Sequence, residues 1–211
     1  PGATSGHIVI EVKATSLNPV DHKILKLDLE INPALPATLH MDVAGVIVEV
    51  GDGVTDFKIG DEVYGCAGGL QGRAGNIEGA LADFMLADSS LIALKPKSLS
   101  FSEAAALPLV SITAWEGLFD RAHINTDDHV LIHAAAGGVG HIAIQLAKQH
   151  GARIATTVSS EDKAKIAKDL GADDIIYYRD ETVNDYTQRL TQGKGFDVVF
   201  DTIGGGNLDK S

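Results

Sequence analysis

Residues 129–151, HVLIHAAAGGVGHIAIQLAKQHG, read as a short apolar strand, a glycine-rich turn and a helix closed by Gly151. The strand, 130–133, is β-branched and apolar, as the buried first strand of a parallel sheet must be. Ala135-Ala136-Gly137-Gly138-Val139-Gly140 keeps the spacing G-x-G-x-x-G, with Ala135 in the first glycine's place. Small residues are a chemical requirement there. Gly137 lets the backbone approach a pyrophosphate, Gly140 lets the helix pack closely on the strand, and the helix N-terminus offers unpaired N–H groups to the anion. An ordinary strand-to-helix turn has the same look, so the flanking chain decides between the two.

That flanking chain alternates strand and helix. Residues 153–158 read as a strand, 161–170 as a helix ended by Gly171, and 174–178 as a strand. Residues 181–191 then read as a helix and 197–203 as a fourth strand. This α/β rhythm predicts a doubly wound parallel sheet, with its ligand at the carboxyl ends of the strands where their order reverses. The predicted mouth is 135–140, 158–160, Tyr178 and 203–206, Gly204 included.

Residues 1–97 read as irregular β. Ile8, Ile10, Val12 and Ala14 alternate with His7, Val9, Glu11 and Lys13, the pattern of a half-buried strand. Residues 43–50 form a second strand closed by Gly51-Asp52-Gly53, and Gly60-Asp61 turns into Glu62-Val63-Tyr64. Residues 65–79 carry six glycines and few large apolar groups, which predicts an exposed, mobile loop. Residues 80–94 return to a strand-like pattern. Ser100 and Glu103 have capping-box spacing at the head of an Ala/Leu-rich helical segment, and the domain boundary is placed there.

Charge and cysteine content exclude whole classes of function. A net charge of −12 over 211 residues disfavours a broad nucleic-acid surface or attraction to anionic lipid. One cysteine, Cys66, cannot form an internal disulfide and fits a reducing cytoplasm. No apolar run is long enough to span a bilayer. The chain starts at Pro1 and stops at Ser211 just after an apolar strand, as a piece of a longer protein would.

Cofactor choice is read from the second strand of the sheet. An NAD site places Asp or Glu about 20 residues after the glycine turn, on the ribose hydroxyls. Val158 stands there, followed by Ser159 and Ser160. A missing carboxylate removes repulsion against a 2′-phosphate, and the hydroxyls with Lys163 can bind one, so NADP(H) is favoured. Ser159 or Ser160 would equally cap the next helix, and both roles are compatible. Glu161 and Asp162 count against the phosphate.

On these residues the chain resembles the medium-chain dehydrogenase/reductase superfamily, in its zinc-free quinone oxidoreductase and enone reductase branch. The resemblance extends over almost the whole chain. It runs through Leu17-Asn18-Pro19-Val20-Asp21-His22-Lys23, Asp42-Val43-Ala44-Gly45-Val46, and 57–65. It continues in Ala104-Ala105-Ala106-Leu107-Pro108, Thr113-Ala114-Trp115, the glycine turn and Gly171-Ala172-Asp173. It implies a chaperonin-10-like substrate domain over 1–99 and a Rossmann NADP-binding domain over 100–211, with sequence continuing beyond both ends.

The resemblance also bears on the chemistry. Zinc-dependent relatives carry a Cys where this chain has Asn18 and a His where it has Met41, and one cysteine cannot build a structural four-thiolate site. No metal is expected, and the acceptor must be polarised by hydrogen bonds alone. That favours quinones or α,β-unsaturated carbonyls as substrates, with hydride passing from the nicotinamide. The NPVDxK pattern implies that Asn18 and Lys23 lie at the nicotinamide end as catalytic residues; an exposed, solvated Lys23 is an equal reading. Lys163 and Tyr178 keep the fifteen-residue separation of the pair that holds the 2′-phosphate in quinone oxidoreductases, although Tyr178 at a strand end can also serve packing. Thr113 resembles a nicotinamide-contacting threonine or is a helix-interior residue, and Tyr64 faces a cleft or packs.

Leu29 stands where enoyl-thioester reductases carry a tyrosine, which weakens a fatty-acyl reductase reading. Nothing basic adjoins Cys66, so no reactive thiol is expected. Pairing of two copies as a homodimer is implied by the resemblance alone. A nucleotide-binding sensor or structural protein with little turnover competes with the enzyme, since both predict the same cofactor site.

Overall fold

The computed structural model describes residues 2–72 and 75–210, the side chains of 209 and 210 excepted. It divides into two compact units, Pro1–Leu109 and Val110–Ser211. In the first unit β1 (His7–Thr15) leads to α1 (Pro19–Lys26), β2 (Asp42–Val50) and β3 (Glu62–Cys66). A short pair, β4 (Leu70–Gly72) and β5 (Gly75–Ile77), precedes β6 (Phe84–Asp88), β7 (Ile92–Leu94) and α2 (Phe101–Ala105). Five of these strands form an antiparallel sheet in the order β6-β1-β2-β3-β7. Ile8, Ile10, Val43, Ile47, Val63 and Met85 form its buried core.

Two expectations for this unit meet a correction. Strict alternation along β1 fails at Val9, which is 2% exposed. Val9 is not in the core formed by Ile8 and Ile10, and the pairing of β1 with β2 shifts register between Val9 and Ile10. The glycine-rich stretch 65–79 is not an exposed loop throughout: Ala67, Gly68, Gly69 and Gly79 are buried, and β4 and β5 lie within it. A Cβ on Gly68 would stand 2.1 Å from the Glu78 carbonyl oxygen, and one on Gly79 would stand 2.1 Å from that of Leu39. The glycines therefore permit close backbone packing. The compact units divide after Leu109, and Ala104 and Ala105 of α2 pack on Ala44, Ala14 and Tyr64. Ser100 and Glu103 do cap α2 reciprocally, Ser100 N–H donating to the Glu103 carboxylate at 2.8 Å and Glu103 N–H to the Ser100 hydroxyl at 3.3 Å.

The second unit follows the predicted alternation. α3 (Pro108–Trp115) runs into a π-helical turn (Glu116–Arg121), followed by β8 (His129–Ile132), α4 (Gly138–His150) and β9 (Arg153–Val158). The chain goes on through α5 (Glu161–Asp169), β10 (Asp174–Tyr177), α6 (Val183–Thr191) and β11 (Val198–Phe200). Gly151 ends α4 in the left-handed region at φ 103°, which costs a glycine little. The strands are parallel in the order β10-β9-β8-β11, so the winding reverses direction between β8 and β11. Successive residues of β8 feed opposite faces. Ile132 packs with Ile144 and Ala164 of α4 and α5, while Leu131 packs with Ala155, Ile176 and Tyr186 on the α6 side. This two-sided burial explains why the strands read as apolar runs.

Candidate cofactor site

The glycine turn sits at the carboxyl end of β8, where the strand order reverses. Ala134 opens it with φ 60°, a left-handed conformation that costs a residue with a Cβ about 1–2 kcal/mol. Its N–H donates to the Thr157 hydroxyl at 3.1 Å, and its carbonyl accepts the Gly137 N–H at 2.9 Å. That carbonyl fills the space beside Gly140: a Cβ there would stand 2.3 Å from the Ala134 oxygen. Gly140 is therefore required for α4 to meet the turn. Gly137 is different. It is exposed, its φ is −80°, and a Cβ on it would stand 3.2 Å from the Ala134 oxygen. As the N-cap of α4, Gly137 has no side chain to cap the first amides of the helix, which Gly138, Val139 and Gly140 carry. Ala135 is buried, and its N–H donates to the Thr157 carbonyl at 3.4 Å.

Beside the turn, a cavity of about 600 Å³ opens along the carboxyl ends of the strands. His133, Thr157, Tyr178, Tyr186, Ile203 and Asn207 are among its walls. Of the predicted mouth, Tyr178 and Ile203 line it; 158–160 and the turn residues 135–140 do not, nor does Lys163. Gly204, at φ 70°, closes the loop after β11, where its N–H and that of Ile203 donate to the Asp201 carboxylate at 3.2 and 2.8 Å. Burial raises Asp201's pKa, but these amides, the Asn207 side chain and His133 outweigh it, so the carboxyl lies below its usual range. Burial pushes the His133 imidazole down, while Asp201 pulls the other way. His133, Thr157 and Asp201 escaped the sequence reading. The available signal was a polar residue near the carboxyl end of each of these apolar strands.

On the α5 side, Ser160 accepts the Lys163 N–H at 3.5 Å as the N-cap. Val158 is buried at the end of β9, in the position a ribose-binding carboxylate would hold. Lys163 is exposed and makes no salt bridge among the described residues. The Tyr177 phenol donates to the Glu161 carboxylate, engaging one of the two acids that oppose an anion here. Tyr178 is half exposed and carries the Arg179 guanidinium 5.7 Å from its ring centroid. Thr113 is exposed on α3.

In the first unit the buried carboxylate of Asp42 is a hub. It accepts the Ser16 hydroxyl at 2.6 Å, the Asn18 amide at 2.8 Å and the Leu109 N–H at 2.9 Å, and the Cys66 thiol donates to it as well. Asn18 is thus buried at the N-terminus of α1 with its amide turned inward, and its own N–H donates to Asp21 at 2.7 Å. Lys23 is exposed on α1. Tyr64 packs on the alanines of β2 and α2. Met41 is buried, and among the described residues no three His, Cys, Asp or Glu side chains are grouped as a metal ion would need.

Burial, together with the Asp42 and Asp21 carboxylates, pushes the Cys66 thiol up to about 12. Only the thiolate attacks electrophiles, so the native protein at pH 8 is expected to resist iodoacetamide. Alkylation at the ordinary rate is expected once urea has unfolded it. Mass spectrometry of both samples checks this, and rapid native labelling would contradict it.

The chain is similar to known proteins over nearly all of its length. Residues 4–97 match the sequence model of the alcohol dehydrogenase GroES-like domain, and 138–211 match that described as zinc-binding dehydrogenase. A 2-methylene-furan-3-one reductase of Solanum lycopersicum is 41% identical over 209 residues, covering 98% of this chain and 52% of the reductase. An NADPH-dependent alkenal/one oxidoreductase of Arabidopsis thaliana is 38% identical over 97% of this chain and 52% of its own length. Among solved structures, the Escherichia coli quinone oxidoreductase complexed with NADPH superposes with a TM-score of 0.85 at 34% identity, over 100% of this chain and 62% of that one. The chain spans about half the length of the curated relatives it matches.

Proposed function

This chain belongs to the medium-chain dehydrogenase/reductase superfamily, in its quinone oxidoreductase branch, and from that premise we propose that it is an NADPH-dependent reductase of quinones or α,β-unsaturated carbonyls that works without zinc. The observation that carries the reading is the uncapped glycine turn at the switch point of the sheet, with Val158 in place of a ribose-binding carboxylate. The relatives named for enone and alkenal reduction support the acceptor class.

In this reading the amides of Gly138, Val139 and Gly140 receive the pyrophosphate, with Ala135 and Gly137 leaving room for it. Ser159, Ser160, Lys163 and Tyr178 hold the 2′-phosphate, and Thr113 and Gly204 border the nicotinamide half. When bound, NADPH supplies a hydride. Lys23 donates a hydrogen bond to the oxygen that gains charge on the acceptor or holds the nicotinamide ribose, and Asn18 sets the start of the helix that carries Lys23. The residues' main contribution is orientation of acceptor and cofactor. A single cysteine suits a reducing compartment, and the cytoplasm is the proposed one. Pairing of two copies is proposed from the resemblance.

A second reading, a nucleotide-binding protein with little turnover, is favoured by one observation: the Asn18 amide is committed to Asp42 and Ser16. NADPH oxidation against a panel of quinones and enones separates the two. Turnover with at least one acceptor is expected; tight NADPH binding with no acceptor reduced would establish the second reading. Lys163→Ala is expected to lower the NADPH-over-NADH binding ratio about tenfold, the size of one hydrogen bond to a charged group. A preference for NADH that this substitution leaves unchanged would count against the 2′-phosphate site.

A further inference from the structure

We propose that Thr157 is the residue that positions the glycine turn for its ligand, by pinning the Ala134 amide at the one strained point of the turn. The inference rests on the cofactor reading above and adds a residue outside the glycine motif. Thr157 is 3% exposed at the end of β9, next to β8 in the sheet. Its hydroxyl oxygen accepts the Ala134 N–H at 3.1 Å and stands 3.2 Å from His133 Nδ1. A hydroxyl has one proton to give, and the Ala134 amide is a donor. Toward His133 Nδ1 the hydroxyl either gives that proton or accepts one through its second lone pair, according to the tautomer of the ring. Burial lowers His133 and favours the neutral ring. The Thr157 carbonyl adds a second hold, accepting the Ala135 N–H at 3.4 Å.

The consequence follows from the geometry of Ala134. A residue with a Cβ does not stay at φ 60° unless its neighbours require it. The Thr157 hydroxyl fixes the amide on one side of Ala134, and the Gly137 N–H fixes its carbonyl on the other at 2.9 Å. That carbonyl touches the face of Gly140, so the orientation of Ala134 sets where α4 begins and where its free amides point. Without the hydroxyl, Ala134 can relax toward an ordinary backbone and carry the turn with it. Thr157 acts on the anion site through Ala134, so it is a positioning residue.

Thr157→Val keeps the shape of the side chain and removes the hydroxyl; Thr157→Ser keeps the hydroxyl. Titration with NADPH, followed by its fluorescence, is expected to show about fivefold weaker binding for Thr157→Val, the worth of one net hydrogen bond, and near wild-type binding for Thr157→Ser. Equal affinity of Thr157→Val and wild type would overturn the proposal, as would a serine variant as weak as the valine one. Because Thr157 also borders the cavity, amide hydrogen exchange over 134–140 without cofactor is the second measurement. Faster exchange in Thr157→Val, restored in Thr157→Ser, is expected; unchanged exchange overturns the positioning role. A wild-type protein that binds no NADPH would instead remove the cofactor reading, and the exchange result still decides Thr157.

Discussion

Gly140→Ala is expected to destabilise the second unit by about 3 kcal/mol, at the upper end of what one inserted carbon costs a packed interior. The reason is the identity of the obstructing atom. The new Cβ would stand 2.3 Å from the Ala134 carbonyl oxygen and 2.9 Å from its carbon, and neither is the end of a flexible side chain. Either α4 lifts away from β8 or the turn rotates, and Ala134 is already strained. The single tryptophan, Trp115, lies in α3 of this unit, so its fluorescence during urea unfolding reports the loss directly. Gly137→Ala is the contrast. Its Cβ would sit 3.2 Å from the same oxygen with a favourable φ, and stability should change by less than about 1 kcal/mol. If the exposed face of Gly137 is where a pyrophosphate approaches, that substitution should weaken NADPH binding more than tenfold while the fold persists. Equal unfolding midpoints for the two variants would refute the division of labour between these glycines.

Asp42→Asn is expected to destabilise the first unit by about 2–3 kcal/mol at neutral pH, because the amide turns an acceptor into a donor among donors. Ser16, Asn18 and Leu109 all present hydrogens to the Asp42 carboxylate. Asparagine can accept on one side only, leaving at least one buried donor unpaired. Far-UV circular dichroism during urea unfolding measures the loss. The pH dependence adds a second check. Burial pushes the Asp42 carboxyl above the usual carboxylate range despite its donors. A folded-state value above the unfolded one means that the native protein gains stability from this group as pH falls through the raised value. A proton on the carboxylate can be given to the Ser16 oxygen at 2.6 Å. Asparagine does not titrate, so the gap between wild type and variant should widen as pH is lowered through the raised value. A gap that narrows would mean that the donors, and not burial, control the charge of Asp42.

The Asp42 hub was hidden from the sequence because its parts are scattered. Ser16 and Asn18 lie before α1, Cys66 ends β3, and Leu109 lies in α3. Only the antiparallel register, which sets Asp42 opposite Cys66, brings them together. The same limit applies to Val9, whose burial has no local signature, and to the glycines of 65–79. Composition reads those glycines as freedom; packing uses them for contact.

What the sequence determined by itself is the order and type of elements in the second unit. Apolar parallel strands, a glycine turn and helices closed by glycine are local signals, each set by residues within a few positions of one another. From that order follow a parallel sheet and a glycine turn at the carboxyl end of β8. The cavity beside the turn, the inward commitment of Asn18 and the grip of Thr157 on Ala134 were decided only by the tertiary structure. Each depends on hydrogen bonds or packing between residues distant in the chain, and such contacts exist only once the strands are in register. The glycine turn was legible; what holds it in shape was not.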